Sequence, residues 1–367
     1  MVELKRRTPA EVKALGREGT VELMRQAGVV GAGGGGFPTY FKYKDSQPCL
    51  IVNATESEPG YWADKVIHRQ YLDEFLLTYE ALKFIFGFET VSMCVHEKDR
   101  EWYAPYAMHS GGVYDLRVVP NEYSLGEEKT LIKHATDTSV PRRVETPDGG
   151  SRPGIPLDAG ILINNSETLL NIHNALFLGK PVTTKFLQVY GEGTDLKVYE
   201  APLGASITEV LGMAGISARS PKSLSVIDGG PYLHEMCVEE LGDGDAYIRR
   251  TTNALLAIPR GTPAKEYAGI RTRPPEEGAV SLVGRVSGVD LLLGGRFLTP
   301  AASLVSEGDY VKYGQKIGEP ADEGLSIGVW ASMCGTISSV EEGIVAIVGG
   351  ALPQEEAEAE SWVEASR

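Results

Sequence analysis

The stretch Gly31-Ala32-Gly33-Gly34-Gly35-Gly36 puts five glycines into six positions. Glycine loses more backbone entropy on folding than any other residue and packs nothing, so such a run needs a reason. One reason is a flexible linker. Linkers are polar, however, and here Phe37, Tyr40, Phe41 and Tyr43 follow at once. The other is close approach of the backbone to an anion, with N–H groups turned toward it. Lys42 follows at a distance that lets its ammonium reach the same anion. The run therefore reads as a phosphate cradle.

Its kind can be narrowed. Gly31, Gly33 and Gly36 spell G-x-G-x-x-G, but the dinucleotide fingerprint needs a strand before the glycines and a helix opening on them. Residues Thr20 to Ala27 instead predict a helix, with Thr20 as N-cap and Gly28 as its stop. Pro38 bars an uninterrupted loop-to-helix run. No Gly-Lys-Ser/Thr sequence occurs here, so this is not a Walker loop.

A chain of 367 residues is too long for one core and predicts roughly two to four domains. A net charge of −15 argues against non-specific nucleic-acid binding, which relies on clustered Lys and Arg. No apolar run approaches the ~20 residues that span a bilayer. The start, Met1 to Arg7, lacks the apolar segment of a signal peptide, which predicts a cytoplasmic protein. The four cysteines, Cys49, Cys94, Cys237 and Cys334, form no C-x-x-C pair, so no local zinc or iron–sulfur motif is legible. The six histidines show no ligand spacing and read as surface or packing residues.

Along the chain, Thr8-Pro9-Ala10-Glu11 is a capping box opening a short helix. Leu50 to Asn53 predicts a buried strand ending in a turn with two carboxylates, Glu56 and Glu58. Asp64 to Phe86 predicts one helix, with Leu72, Phe75, Leu76, Tyr79, Leu82 and Phe86 near one face and Gly87 as its stop. Strands follow at Thr90 to Val95 and Tyr114 to Val119, then a helix opening near Glu127 and Glu128. Ser139 to Pro156 is rich in Pro and Gly and reads as an ordered loop. Ile161 to Ile163 is a strand, and Asn164 and Asn165 precede another helix, as caps or as readers of a heterocycle's edge. This alternation predicts an α/β domain. From Val182 a β–β–α–β unit is predicted to Ile227, then a connecting passage whose one apolar strand lies within Thr251 to Pro259. Short glycine-parted strands from Ser281 to Val348 predict a small barrel or sandwich.

Four segments in order resemble one family: the glycine loop with F-P-T-x-x-K, the N-A-x-E-S-E-P turn, the G-E-E-x-T-L-I turn and the N-N-x-E-T helix start. They are similar to the NADH-binding flavin subunit of respiratory complex I. The wording after Glu128, the run Gly154 to Gly160 and Thr251 to Pro259 look more like its cousins, the RnfC component of the Rnf electron-transport complex and the propanediol-utilisation cobalamin reductase. The resemblance implies a flavin/NADH-binding α/β domain over 1–181, a β-grasp domain over 182–233 and a connecting segment over 234–280. It further implies a lipoyl-like barrel-sandwich domain over 281–350, before an acidic tail over 351–367. The stretch Ile327 to Gly335, where such domains present a modified lysine, has none, so the last domain is expected to dock or pack.

What the resemblance implies for the site can be given residue by residue. Gly31, Gly33, Gly34 and Lys42 would surround the phosphate and ribityl chain of FMN. Asn53, Glu56 and Ser57 would lie beside the isoalloxazine with Gly126 and Glu127. Asn164, Asn165 and Thr168 would hold ring and phosphate from the far side, and NADH would stack near Phe37 with Glu58 and Glu128 close by. A phosphate wants N–H donors and one cation, and hydride transfer wants stacking and exclusion of water. This chain departs from the complex I pattern at Ala32 (Arg there) and Thr55 (Asp there), and it lacks the cluster motifs. Electrons are therefore expected to leave to a partner protein carrying an iron–sulfur cluster, a flavin or a redox-active thiol. The alternatives are a docking subunit that keeps the fold without the cofactor, or a ligand-binding regulator that uses the β-grasp domain.

Overall fold

The computed structural model describes residues 2–191, 197–216, 224–232, 246–269, 275 and 277–349. Cys237, His234 and the tail expected over 351–367 lie outside these residues. Helix α1 spans Pro9–Ala14 behind the expected Thr8–Glu11 capping box. Helix α2 spans Gly16–Gln26, so it begins before Thr20. Thr20 is not its cap: it lies inside the helix and its hydroxyl donates back to the Gly16 carbonyl at 2.7 Å, a bond that competes well with capping. Gly28, at φ 80°, stops the chain as expected, and α3, Thr39–Lys42, follows the glycine loop.

The parallel layer is then laid down. Strand β1 is Cys49–Asn53. The single helix expected to Phe86 is broken into α4, Ala63–Gln70, and α5, Leu72–Phe86. Tyr71 leaves the helical region between them, at φ −124° and ψ 33°, with its ring edge-on to Phe186. Next come β2 (Thr90–His96), α6 (Arg100–His109), β3 (Asp115–Val119) and α7 (Glu128–Thr136). The expected loop contains a small hairpin, β4 (Arg143–Glu145) with β5 (Ser151–Pro153). Strand β6 (Ile161–Asn165) leads into α8 (Ser166–His173).

The four long strands form a parallel sheet in the order β3-β2-β1-β6. Both faces are covered, as βαβ crossovers require. Leu50, Val52 and Leu162 pack on Phe75, Tyr79, Leu82 and Leu169. Ile51, Cys94 and Ile163 meet Leu131 and Ile132 on the other side. Each such buried side chain contributes roughly 1.5–3 kcal/mol. The register pairs Asn53 with Cys94 and with Asn165, so the carboxyl ends of β1, β2 and β6 form one rim, the usual place for a ligand in such sheets.

Strands β7 (Thr184–Gly191) and β8 (Lys197–Pro202), helix α9 (Ile207–Met213) and β9 (Leu224–Asp228) follow the expected β–β–α–β order. The apolar strand expected in the connecting passage, β10 (Ala254–Pro259), enters this same sheet between β7 and β9. With β11 (Val280–Ser281) at the edge the order is β11-β8-β7-β10-β9. A fully buried apolar run does not announce which sheet will take it.

The C-terminal strands are β12 (Gly288–Leu292), β13 (Ala302–Ser303), β14 (Tyr310–Val311), β15 (Lys316–Glu319), β16 (Val329–Trp330), β17 (Gly335–Glu341) and β18 (Ile344–Val348). They form two small antiparallel sheets, ordered β12-β18-β17-β14 and β13-β15-β16, around buried Leu291, Val311, Ile317, Val329, Ile337 and Ile347. This barrel sandwich leans on the end of α2. The Trp330 indole donates to the Gln26 carbonyl at 2.8 Å, and the Gly328 N–H donates to that of Arg25 at 3.0 Å. Among the described residues no helix is long and apolar enough to cross a membrane.

Candidate functional site

The glycine loop is closed at its base and open on its face. Val30 and Pro38 form an antiparallel bridge. Inside it, the Gly31 N–H donates to Phe37 O at 2.8 Å and the Gly36 N–H to Gly31 O at 2.9 Å. Gly34 (φ 98°) and Gly36 (φ 63°) adopt conformations that L-residues resist. Gly33, Gly34 and Gly35 remain exposed. Ala32 turns the other way: its methyl is buried, and its N–H donates to Thr168 Oγ1 at 2.9 Å. Thr168 is itself positioned by Asn165, whose Oδ1 caps α8 by accepting the Thr168 N–H and hydroxyl. A Cβ on Gly33 would stand 3.4 Å from the Asn165 side chain, so the loop lies directly over the β6–α8 junction.

Lys42 reaches that junction from the next helix. Its ammonium donates to Ile163 O at 3.0 Å and pairs with Glu128 at 3.1 Å. On the other side of the rim, Asn53 Oδ1 accepts the Thr55 N–H and hydroxyl, and its Nδ2 donates to Gly126 O at 3.2 Å. Thr55 also has access to Leu125 O, at 2.9 Å. It thus locks the β1 turn to the turn before α7, in the position where the complex I pattern has Asp. Ser57 sits against Gly126, where a Cβ would come within 2.9 Å of its Oγ, and lies 3.2 Å from His96 Nε2.

The expected carboxylates part company. Glu127 is exposed and caps α7 through the Thr130 N–H and hydroxyl. Glu128 answers Lys42. Glu58 is buried and clamped: its Oε1 accepts the Tyr232 N–H at 2.6 Å and its Oε2 the Tyr123 hydroxyl at 2.9 Å. Glu56 turns inward to Lys65, which also meets Asp99 at 3.3 Å. Burial pulls the Lys65 ammonium down, but Glu56 and Asp99 outweigh it and hold the group above its ordinary value. Asn164 likewise faces the core, donating to Tyr43 Oη at 2.7 Å. Asn165 is the one that faces the loop. Behind it, 3.4 Å from its Nδ2, lies Asp64, pushed well above the usual carboxylate range by burial and then by the charges of Glu56 and Glu167.

Sequence reasoning missed three contributors. Thr251 and Asn253, just before β10, pack against the glycine loop: Cβ atoms on Gly36 and Gly34 would stand 2.9 Å from Thr251 Cγ2 and 3.2 Å from Asn253 Nδ2. His96 closes the rim at the end of β2, where burial lowers its pKa. The polar T-T-N before an apolar strand was the available signal for the first two; a lone histidine gave none.

The donor set fits a flavin mononucleotide. Three exposed glycines and a lysine offer a phosphate N–H groups and a cation. Asn253 Oδ1 and Ser166 Oγ are buried without partners among the described residues, and a lost partner of this kind is costly unless a ligand or water supplies it. Among the described residues no group of His, Cys, Asp and Glu could hold a metal ion.

Residues 24–174 match the Nuo51 FMN-binding domain, and residues 293–352 match the RnfC barrel sandwich hybrid domain. Cobalamin reductase PduS of Citrobacter freundii is 29% identical over 265 residues, covering 72% of this chain and 54% of that protein. The C component of the ion-translocating oxidoreductase complex of Vibrio cholerae is 31% identical over 249 residues, covering 66% of this chain and 30% of its own length. A crystal structure of an NAD+-reducing NiFe-hydrogenase in the H2-reduced state shares the fold, with a TM-score of 0.50 and 19% identity over 67% of this chain and 47% of that one. The chain is thus similar to these proteins through one segment that matches the Nuo51 FMN-binding domain and a second that matches the RnfC barrel sandwich hybrid domain. It spans about half or less of the length of the relatives it matches.

Proposed function

We propose that this chain is a flavin-dependent electron-transfer component that oxidises NADH through FMN and hands the electrons to a partner protein. The observation that carries this reading is the open glycine face. Gly33, Gly34 and Gly35 lie exposed beside Asn165, with Lys42 reaching Ile163 O, at the carboxyl rim of a parallel sheet. Gly33, Gly34 and Lys42 hold the phosphate, and Gly31, whose own N–H is taken by Phe37 O, closes the loop behind them. Asn53, Ser57, Gly126, Asn165 and Thr168 frame the ring. When bound, FMN accepts two electrons as hydride and can release them singly. The residues bind, orient and exclude water, and hydride transfer asks no acid or base of them. Glu56, Asn164 and Glu127 act one step removed, through Lys65, Tyr43 and the cap of α7. The acceptor in this reading is a partner protein with its own iron–sulfur centre, flavin or redox-active thiol.

Reconstitution tests this. Purified protein titrated with FMN should quench flavin fluorescence with about one flavin per chain, and Lys42→Ala should weaken retention. Anaerobic NADH should then bleach the flavin in roughly one turnover, with slow reoxidation by oxygen. Absence of flavin binding would leave the docking-subunit reading. Binding without reduction by NADH would keep the flavin and discard the nicotinamide donor.

A further inference from the structure

The sandwich sends one turn back to the glycine loop. In Gly295-Arg296-Phe297-Leu298 the Leu298 N–H donates to Gly295 O at 3.0 Å, and the two end residues also form a bridge. Leu298 is buried and anchors the turn, which leaves Arg296 and Phe297 as its two exposed tip residues. The Phe297 ring lies edge-on to Phe37, the residue that follows the glycines, at 5.8 Å between centroids. Phe297 is nevertheless 42% exposed. An aromatic left that open is not filling a core. The Arg296 guanidinium rests 5.2 Å over its face, which holds the charge at the same tip.

Charge at this seam is unbalanced in an informative way. Lys42, Lys65 and Lys185, near the cradle or beneath it, are each paired with a glutamate. Arg296 has no carboxylate partner among the described residues. Arg250 has none among them either: its Nη1 donates to Leu292 O at 3.4 Å, at the root of the turn, and its Nε is buried without a partner. The segment that carries it continues into Thr251 and Asn253, which face Gly36 and Gly34. Arg250 is half-buried against the turn, whereas Arg296 is exposed at its tip, next to the Phe297 that meets Phe37, and lacks countercharge among the described residues in a chain of net charge −15. Arg296 is placed for an anion that arrives from outside.

We propose that the Arg296–Phe297 turn is the outer wall of the dinucleotide site, with Phe297 and Phe37 offering aromatic surface and Arg296 receiving the pyrophosphate. This rests on the NADH reading above and makes the sandwich a part of the substrate site. The test is calorimetric titration of the full, FMN-loaded chain with ADP-ribose, which carries the pyrophosphate and no nicotinamide, and with NADH. Arg296→Glu should weaken ADP-ribose by about tenfold or more, the loss of one charge-assisted contact, and Phe297→Ala should weaken it in the same direction. FMN affinity measured by fluorescence quenching should stay unchanged in both. If the wild type binds ADP-ribose and both variants bind it equally well, the wall is refuted and the NADH reading stands. If the wild type binds neither ADP-ribose nor NADH, the donor reading falls and the wall with it.

Discussion

Thr168 Oγ1 accepts the Ala32 N–H at 2.9 Å and donates its own proton to Asn165 Oδ1 at 2.7 Å. One hydroxyl thus fastens the middle of the glycine loop to the first turn of α8. Both ends of this relay are buried or half-buried, so removing it strands polar groups rather than exposing them to water. Thr168→Val, nearly isosteric, should cost about 1–3 kcal/mol of stability and loosen FMN binding, while Thr168→Ser should keep most of both. Urea unfolding and flavin titration of the two variants check this. Wild-type behaviour of Val with impairment of Ser would mean that the methyl, not the hydroxyl, matters.

The loop and the Thr251 segment are fitted to each other. Gly36→Ala places a methyl 2.9 Å from Thr251 Cγ2 at a φ of 63°. The backbone part costs about 1–2 kcal/mol, and the contact adds to it. Thr251→Ser removes the opposing methyl. The double variant should therefore be less destabilised than the two single changes added together, with the surplus read as coupling. Strict additivity would show that the neighbours are independent.

Glu56 is held by a buried set in which one ammonium serves two carboxylates, Glu56 and Asp99. Lys65→Met leaves both without their cation and should cost about 3–5 kcal/mol. Lys42 differs, because its partner Glu128 is 41% exposed at the side chain. Glu128→Gln should change stability by less than about 1 kcal/mol. Thermal unfolding of the two variants side by side separates a pair that holds the fold from a pair that borders the site.

Much of this arrangement could be read before the fold was known. The glycine run, its aromatic sequel and the strand–helix alternation each follow from local chemistry, and the parallel sheet places them as that chemistry implies. The failures share one cause. Thr20 reads as a cap and sits inside α2, because Ser/Thr hydroxyls can bond backward as easily as forward. Glu56 and Glu58 look alike in sequence. One is turned to Lys65 nine residues on, the other to Tyr232 far along the chain. Asn164 and Asn165 differ only by strand alternation, which sends one to Tyr43 in the core and the other to the loop. Thr251, Asn253 and Phe297 reach the loop by tertiary folding alone, which spacing does not encode.

The buried histidine His68 makes the fold sensitive to acid. It stacks on Phe75 at 5.3 Å, has Tyr103, Tyr106 and Tyr114 around it, and its Nδ1 has no partner among the described residues. Burial pulls its pKa down from 6.5 to about 3. In the unfolded chain the imidazole titrates at about 6.5. Between those values the unfolded state binds a proton that the native state refuses, so stability falls as pH falls. His173, pulled down to about 4 by burial, acts in the same direction. Glu56, Asp64 and Glu167, pushed up by burial, act in the opposite one: they keep a proton that the unfolded state releases. The total slope therefore mixes both signs, and the contribution of His68 must be read by difference. From about pH 7.5 to about pH 5.5 the wild type should lose about 1.4 kcal/mol more than His68→Phe. Urea unfolding of both proteins at the two pH values measures it. A difference between them that does not change with pH would mean that His68 carries its charge inside the fold.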